Sequence, residues 1–350
     1  MTRRERIFRV ISHKETDIIP YDFDLTSFWI DKLSEFYHTS DVLDFIGNHL
    51  AYTGVNLSRE YLDNEVYRDE FGIIWRRDES TKKIGDWGTI TDYPLKSQSL
   101  SNYSFPKPDL DFRFSHLIEF KSKYNDRFII VGLDGLFDTA WHLRGFENLL
   151  LDFVDSPDFV NKLLDKSLDF ILGIIEKLNP KIIDGVRFVE DWGKQEGLLM
   201  GPTYWRKFLK PRLKEMYKFT REKGIHVFIH SCGDIEEIFP DLIEMRVEVV
   251  HPIQPEVMDL NLIKREYGRD ICLYGGIGCQ STLPLGNVED VRREIIEKME
   301  VLSKGSGYIL GPAGAIPNDV PIENVITFIE IAQKQDLRKT INKKSSYTSD

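Results

Sequence analysis

The chain has 350 residues, of which 41% are hydrophobic and 29% are charged. This balance is typical of an ordinary globular protein and excludes a disordered or fibrous chain. The formal net charge of −11 disfavours nucleic acid as a routine partner, because phosphate binding requires clustered Lys and Arg side chains.

The sequence also argues against a membrane or secreted protein. No apolar run approaches the roughly 18 to 20 residues that span a bilayer, and the charged, amphipathic residues 1–11 do not have the pattern of a signal peptide. The three cysteines, Cys232, Cys272 and Cys279, are an odd number without the spacing of a disulfide framework. We therefore expect a cytoplasmic protein whose thiols stay available for metals, with neither nucleic acid nor a membrane as partner.

The first part of the chain predicts a helix, a strand and an insertion. Ile7, Val10 and Ile11 recur at helical spacing between charges, so we expect a helix over about residues 2–13. Residues 18–23 then have the pattern of a short strand. From about residue 60 to residue 111 the chain breaks into short aromatic and polar pieces with prolines between them, which indicates an insertion with a small antiparallel hairpin.

From residue 128 onward, short runs rich in Val and Ile alternate with amphipathic stretches. The predicted strands span residues 128–133, 186–190, 226–230, 247–251, 271–274 and 308–310. The helical spacing of apolar residues predicts helices over residues 157–178, 202–223 and 288–302. A strand followed by a helix, repeated along the chain, is the pattern of a parallel sheet.

The segments at the strand ends decide between an open sheet and a closed barrel, since both use this alternation. Polar or glycine-rich segments follow almost every apolar run at its carboxyl end, and in a barrel such segments converge on one mouth. We therefore predict an α/β fold, a single (β/α)8 TIM-type barrel over residues 1–334 with an N-terminal helix and the small hairpin insertion. A polar C-terminal tail is predicted over residues 335–350.

His230 and Cys232 lie two positions apart where a predicted strand ends. In an extended chain their side chains point to the same side while Ser231 points away, and Gly233 lets the backbone turn directly afterwards. Imidazole and thiolate are zinc ligands, so the pair predicts a metal site, with Cys279 on a later glycine-rich turn as a candidate third ligand. The alternative is a buried free cysteine beside a hydrogen-bonded histidine.

Polar residues at two further strand ends are candidates for substrate chemistry. Glu190 and Asp191 are adjacent acids that could act as a metal ligand, a proton acceptor or a substrate anchor, or could cap a helix or pair with Lys194. His251 and Gln254 could form hydrogen bonds with a substrate, although a structural role for this histidine is equally open.

Seven segments together resemble the uroporphyrinogen decarboxylase superfamily, and the similarity runs from about residue 2 to residue 334. They are Arg4-Glu5-Arg6, Asp17-Ile18-Ile19-Pro20, Asp69-Glu70-Phe71-Gly72, Asp191-Trp192-Gly193-Lys194-Gln195, His230-Ser231-Cys232-Gly233, Gly275-Gly276 with Gln280, and Pro321-Ile322-Glu323-Asn324. The sequence is more similar to the corrinoid-dependent methyltransferase branch, in which a His-x-Cys pair and a later cysteine hold zinc. The resemblance implies the barrel fold, zinc as a cofactor, and a corrinoid supplied by a partner protein.

The sequence departs from each branch at one point. Gly314 stands where the methyltransferase branch has its later zinc cysteine, so Cys279, Glu190 or the substrate would have to complete the zinc sphere, unless the metal is weakly held or absent. The arginine-rich amino-terminal motif with which true decarboxylases bind their porphyrinogen is missing. A decarboxylase of tetrapyrrole metabolism is therefore the second hypothesis.

The main hypothesis is a cytoplasmic methyltransferase that moves a methyl group between a small methylated substrate or a thiol and a corrinoid protein. In the demethylase direction zinc would activate the methylated substrate, and in the other direction it would activate a thiol acceptor. A third hypothesis is a catalytically silent binding barrel.

Overall fold

The computed structural model describes residues 1–78 and 88–335. Residues 336–350 of the predicted tail and residues 79–87 of the predicted insertion lie outside the described residues. The chain comprises two compact units, one formed by Met1–His49 and Ile253–Asp350 and the other by Leu50–Pro252.

The strands and helices are numbered in chain order. The strands are β1 Leu50–Gly54, β2 Arg59–Tyr61, β3 Val66–Asp69, β4 Ile74–Arg76, β5 Thr89–Asp92, β6 Phe128–Asp134, β7 Gly185–Val189, β8 Gly193–Lys194, β9 Gly197–Leu198, β10 His226–His230, β11 Val249–Ile253, β12 Cys272–Ile277 and β13 Tyr308–Pro312. The helices are α1 Arg3–Ile11, α2 Ser27–Tyr37, α3 Val42–Phe45, α4 Leu117–Lys123, α5 Leu136–Arg144, α6 Phe146–Asp155, α7 Pro157–Lys177, α8 Gly201–Tyr204, α9 Lys210–Glu222, α10 Phe239–Glu244, α11 Leu260–Tyr267, α12 Thr282–Leu285, α13 Val288–Leu302 and α14 Ile322–Lys334.

The Leu50–Pro252 unit contains a parallel sheet in which β1, β6, β7, β10 and β11 are neighbours in that order. Asp134 at the end of β6 is the register partner of Val189, Val189 is the partner of His230, and His230 is the partner of His251. The carboxyl ends of these four strands therefore lie along one edge of the sheet. This edge is where the polar segments singled out in the sequence begin.

The helices of this unit follow their strands as predicted, with one interruption. α7 begins at a proline, which suits the first helical position, and its apolar face is buried along its length. The helix predicted over residues 202–223 is divided into α8, a π-turn at Trp205–Leu209, and α9. Pro211 explains the π-turn, because a proline donates no N–H to the carbonyl four residues earlier and its ring displaces that carbonyl.

The insertion forms a four-stranded antiparallel sheet, β2 to β5, and not the two-stranded hairpin predicted. The Asp63 carboxylate accepts hydrogen bonds from two backbone N–H groups of its turn, and the Asp69 carboxylate does the same in the next turn. Gly72 takes a φ of +84° in that second turn, a conformation that favours glycine. These side-chain contacts let very short strands pair, which a search for longer alternating runs does not detect.

The other unit holds the chain's amino-terminal helix and the strands β12 and β13. α1 confirms the predicted helix and begins with a capping box, in which the Thr2 hydroxyl accepts from Glu5 N–H (3.1 Å) and the Glu5 carboxylate accepts from Thr2 N–H (2.7 Å). β12 and β13 are parallel, and the strand predicted at residues 18–23 is reduced to one parallel bridge between Tyr21 and Leu310. Pro20 has no N–H to extend that ladder.

Candidate metal centre

Two strand ends of the Leu50–Pro252 unit bring an acidic residue against the predicted His-x-Cys pair. The main chain continues the parallel ladder past β7, since Glu190 N–H donates to His230 O at 2.7 Å. The Cys232 N–H then donates to Asp191 Oδ1 at 2.9 Å. Asp191, which is 41 residues away in the chain from Cys232, therefore lies beside the pair.

The side chains of Asp191, His230 and Cys232 converge on one point. His230 Nε2 lies 3.5 Å from Cys232 Sγ and 3.8 Å from Asp191 Oδ1, and one donor atom from each residue lies within 4.8 Å of the others. The side chains are reachable from solvent, with exposures of 15% for His230 and 45% for Asp191. Nitrogen, sulfur and carboxylate oxygen are the donor types that zinc takes in proteins.

The two loops that carry these donors are held against each other by their backbones. A Cβ atom at Gly233, whose φ is +82°, would overlap the backbone of Gly193 and Lys194. The Asp234 N–H also donates to Lys194 O at 2.8 Å. Glycine at position 233 is therefore required both by the backbone angle and by the close approach of the loop after β7.

His251 orients the imidazole of His230. The two Nδ1 atoms are 2.8 Å apart, and His251 is fully buried in β11. Burial, with the nearby charge of Arg187 adding to it, lowers the pKa of His251 well below its ordinary value, so its ring is neutral. We assign the shared proton to His230 Nδ1, which leaves His230 Nε2 with its lone pair directed at Cys232 and Asp191.

Asp138 supports Asp191 from α5 and is a residue that the sequence analysis missed. Its Oδ2 accepts from the Asp191 N–H at 2.9 Å, and its Oδ1 accepts from Trp141 Nε1 at 2.9 Å. Burial and the neighbouring charge of Asp191 raise the pKa of Asp138 well above its ordinary value. The signal in the sequence is an acidic residue in the first turn of a helix, which by itself also fits a favourable interaction with the helix dipole.

The Glu190 side chain faces the start of α5 and not the candidate metal centre. It is fully buried, and its carboxylate accepts from the N–H groups of Leu136 (2.6 Å) and Phe137 (3.0 Å) and from Trp192 Nε1 (3.1 Å). Burial raises its pKa to about 8, against the opposing effect of these three donors. These contacts fasten α5 to the end of β7.

Replacing Gly135 by alanine is expected to disrupt this fastening. A Cβ atom there would overlap the Glu190 carboxylate, so the carboxylate must leave its N–H partners, and we expect a loss of about 2 to 4 kcal/mol in the free energy of unfolding. Urea unfolding monitored by tryptophan fluorescence measures it. Gly132→Ala is the matched control, because a Cβ there would meet only Thr53 O at 3.8 Å. Equal stability of the two variants would contradict the assignment.

The remaining sequence candidates, Gln254 and Cys279, belong to the other compact unit. Gln254 is buried, and its backbone carbonyl accepts from Met258 N–H at 3.0 Å. Cys279 is buried with its Sγ 3.8 Å from the carbonyl oxygens of Ile277 and Gly314. The thiol of Cys279 therefore lies next to Gly314, the position of the later zinc cysteine in the methyltransferase branch. Their roles in the site stay predictions.

Comparison with known proteins agrees with the resemblance noted in the sequence. The family model for uroporphyrinogen decarboxylase (URO-D) matches residues 89–335, and the chain belongs to that family. A curated relative, the methylated-thiol–coenzyme M methyltransferase of Methanosarcina mazei, is 21% identical over 217 residues. That alignment covers 62% of this chain and 56% of the relative, so the chain spans little more than half of the relative's length.

A solved structure confirms the fold class. A methyltransferase from Methanosarcina mazei superposes with a TM-score of 0.70 at 16% identity, covering 95% of this chain and 99% of the other. Together with the parallel strands and the helices that follow them, this match confirms the predicted (β/α)8 TIM-type barrel. Among the described helices, none is both long and apolar enough to cross a membrane.

Proposed function

We propose that the chain is a cytoplasmic, corrinoid-dependent methyltransferase that uses zinc held by His230, Cys232 and Asp191. It would move a methyl group between a small methylated substrate or a thiol and a corrinoid carried by a separate protein. The proposal rests on one observation. The side chains of Asp191, His230 and Cys232, whose donor atoms are of the kinds that bind zinc, converge at the carboxyl ends of neighbouring barrel strands. Catalytic groups of TIM-type barrels stand at these ends.

The spacing of the three donors suits zinc. Zinc binds histidine, cysteine and aspartate at about 2.0 to 2.3 Å in a tetrahedron, which separates neighbouring donor atoms by about 3.3 to 3.7 Å. The separations of 3.5 Å between His230 and Cys232 and 3.8 Å between His230 and Asp191 are close to that range. Zinc bound there would supply Lewis acidity toward the heteroatom of a methylated substrate or lower the pKa of a thiol acceptor.

The chain's own residues would keep the donors ready and leave a position open for substrate. His251 holds the tautomer of His230, and Asp138 holds the backbone beside Asp191. With three protein donors, a bound zinc would keep a position open for the substrate heteroatom, as catalytic zinc sites do. Cys279 is the alternative third donor, and Gln254 remains a candidate for polar contact with the substrate.

The comparisons support methyl transfer over decarboxylation. The curated relative named above acts on methylated thiols and coenzyme M, so a thiol or thioether is a reasonable first substrate class to test. The residues that directly follow β7 and β10, 190–194 and 231–234, include one cation, Lys194, whereas a porphyrinogen with many carboxylates needs several cations.

Two measurements test the proposed function: the zinc content of the purified protein and a methyl-transfer assay. We expect about one zinc per purified chain, and methyl transfer to cob(I)alamin from at least one methylated thiol, methylamine or methoxy-aromatic donor. Chelation should abolish the transfer and added zinc should restore it, with zinc-saturated chelator as the control. Full transfer by metal-free protein would overturn the zinc assignment. Porphyrinogen decarboxylation that survives His230→Ala would assign the chain to the decarboxylases, and absence of metal and of both activities would indicate a silent barrel.

A further inference from the structure

A cavity of about 340 Å³ lies at the carboxyl ends of β1 and β6, within the Leu50–Pro252 unit. The ends of the two strands, the small antiparallel sheet β2 to β5, and the helices α5 and α7 all contribute to its lining. Its volume is in the range of small-molecule sites, which are about 300 to 1,000 Å³. None of the three candidate metal donors lines it.

Aromatic and aliphatic side chains make up much of the lining of this cavity. The rings of Tyr67 and Trp75 are stacked with an interplanar angle of 11°, and Trp75 meets the His142 ring edge-on at 5.3 Å. Leu133 and Ile174 are among the buried aliphatic side chains that also line the cavity. A flat, apolar ligand gains most in such a space, because it contacts ring faces and hydrocarbon on both sides.

Two acids, Asp69 and Asp134, are among the polar residues of the lining, which also include Arg59, Arg77, Thr139 and His142. The Asp134 side chain is 56% exposed, and its Oδ2 lies 3.3 Å from His142 Nδ1. The half-buried position of Asp134 opposes its ionisation, but the hydrogen bond with His142 and the charge of that residue outweigh this effect and lower the pKa of Asp134, so the carboxylate is ionised. The other lining acid, Asp69, has both oxygens engaged by the N–H groups of Phe71, Ile73 and Trp75. Asp134 is therefore the acceptor for a ligand's hydroxyl or N–H group.

The cavity and the candidate metal centre share one sheet edge. Asp134 is in register with Val189, and Val189 with His230. Since neighbouring strands are about 4.8 Å apart, the backbones of Asp134 and His230 are about 10 Å apart. A ligand with one ring can therefore extend from the cavity toward His230.

We propose that this cavity binds the ring of a monocyclic aromatic methyl donor, a phenolic methyl ether or methyl thioether whose ring hydroxyl donates to Asp134. This proposal rests on the methyltransferase function proposed above and names its substrate class. Tyr67 and Trp75 contact the ring faces, and the methylated heteroatom points along the sheet edge toward His230. The small sheet β2 to β5 thereby becomes a determinant of substrate choice.

Binding of 4-methoxyphenol and of anisole to the zinc-loaded chain, measured by isothermal titration calorimetry, tests the proposal apart from turnover. We expect saturable binding of 4-methoxyphenol at one site, and binding about tenfold weaker for anisole, which lacks the hydroxyl. The substitution Asp134→Asn should weaken the binding of 4-methoxyphenol about tenfold and leave the affinity for anisole unchanged. Equal loss for both ligands, or no binding of either, would overturn the proposal.

Two variants test the location of the bound ring. Ile174→Phe fills the cavity from α7 and should reduce the affinity for both ligands at least tenfold, as should Tyr67→Leu. Tyr61→Leu is the matched control, because Tyr61 is the register partner of Tyr67 in the same small sheet but is 68% exposed and is not part of the lining. Unchanged affinity in Ile174→Phe would place the ligand elsewhere and overturn the proposal.

The experiments can reject the proposed function and the proposed cavity ligand independently of each other. Ring binding without zinc or methyl transfer would remove the proposed function and leave an aromatic binding site. Methyl transfer from aliphatic thioethers without ring binding would keep the proposed function and remove this inference.

Discussion

Replacing either His230 or Cys232 by alanine is expected to reduce bound zinc from about one per chain to a trace. Only two protein donors would remain in each variant, which is fewer than zinc sites in proteins use. Methyl transfer should fall by about 10³-fold or more, because Lewis-acid stabilisation of the reacting heteroatom contributes several kcal/mol. Elemental analysis of the purified variants and the cobalamin transfer assay measure the two effects.

The third donor can be assigned with two further variants. If Asp191 is the ligand, Asp191→Asn should weaken zinc binding by at least 10- to 100-fold, the loss seen even for outer partners of metal ligands. Cys279→Ala should then keep its zinc. The reverse result would assign Cys279, whose thiol lies 3.8 Å from the Gly314 carbonyl, as the replacement for the missing family cysteine. Cys272→Ala is the matched control, since that thiol is fully buried inside β12.

Replacing Arg113 by methionine is expected to lower the free energy of unfolding by about 3 to 5 kcal/mol. Arg113 is fully buried, and its guanidinium donates to both carboxylate oxygens of Glu70 (2.6 and 3.0 Å) and to the carbonyls of Asn56 and Lys107. Its removal leaves the Glu70 carboxylate, which is 8% exposed, without its bidentate partner. Chemical unfolding followed by circular dichroism measures the change.

An exposed ion pair in the small sheet β2 to β5 is the control for the buried pair of Arg113 and Glu70. Arg68 and Glu60 pair at 2.8 Å with exposures of 47% and 65%, so Arg68→Met should change stability by less than about 1 kcal/mol. Removing both buried charges, in Arg113→Met with Glu70→Met, should regain part of the loss, because no buried charge is then left alone. Equal effects of Arg113→Met and Arg68→Met would contradict a structural role for the buried pair.

The strand and helix pattern was predictable where apolar residues form long or β-branched runs. The predicted strands at residues 226–230 and 128–133 agree with β10 and β6 to within one residue, and α13 has the predicted bounds. β1 was not predicted, because Leu50–Gly54 is short and mixes Ala, Tyr, Thr and Gly without alternation. Its pairing with β6, a partner far along the chain, makes it a strand.

The small sheet β2 to β5 was also not fully predicted, because its strands are short. Each of its strands is three or four residues long, and its turns are held by the Asp63 and Asp69 carboxylates and by the buried Arg113–Glu70 pair. The motif containing Glu70 was visible in the sequence, but its partner 43 residues away was not. Long-range ion pairs leave no periodic signal.

Local spacing was sufficient to pair His230 with Cys232, since two residues at i and i+2 in an extended chain face the same side whatever surrounds them. It was also sufficient to rank the strand-end segments as places for chemistry. Which of the adjacent acids faces the pair, and which fastens a helix, depended on the parallel register of β7 with β10 and on the position of α5. Contacts such as Asp191 with Cys232 and Glu190 with Leu136 join residues 41 and 54 positions apart, and their geometry follows from packing of whole elements and not from neighbours in the chain.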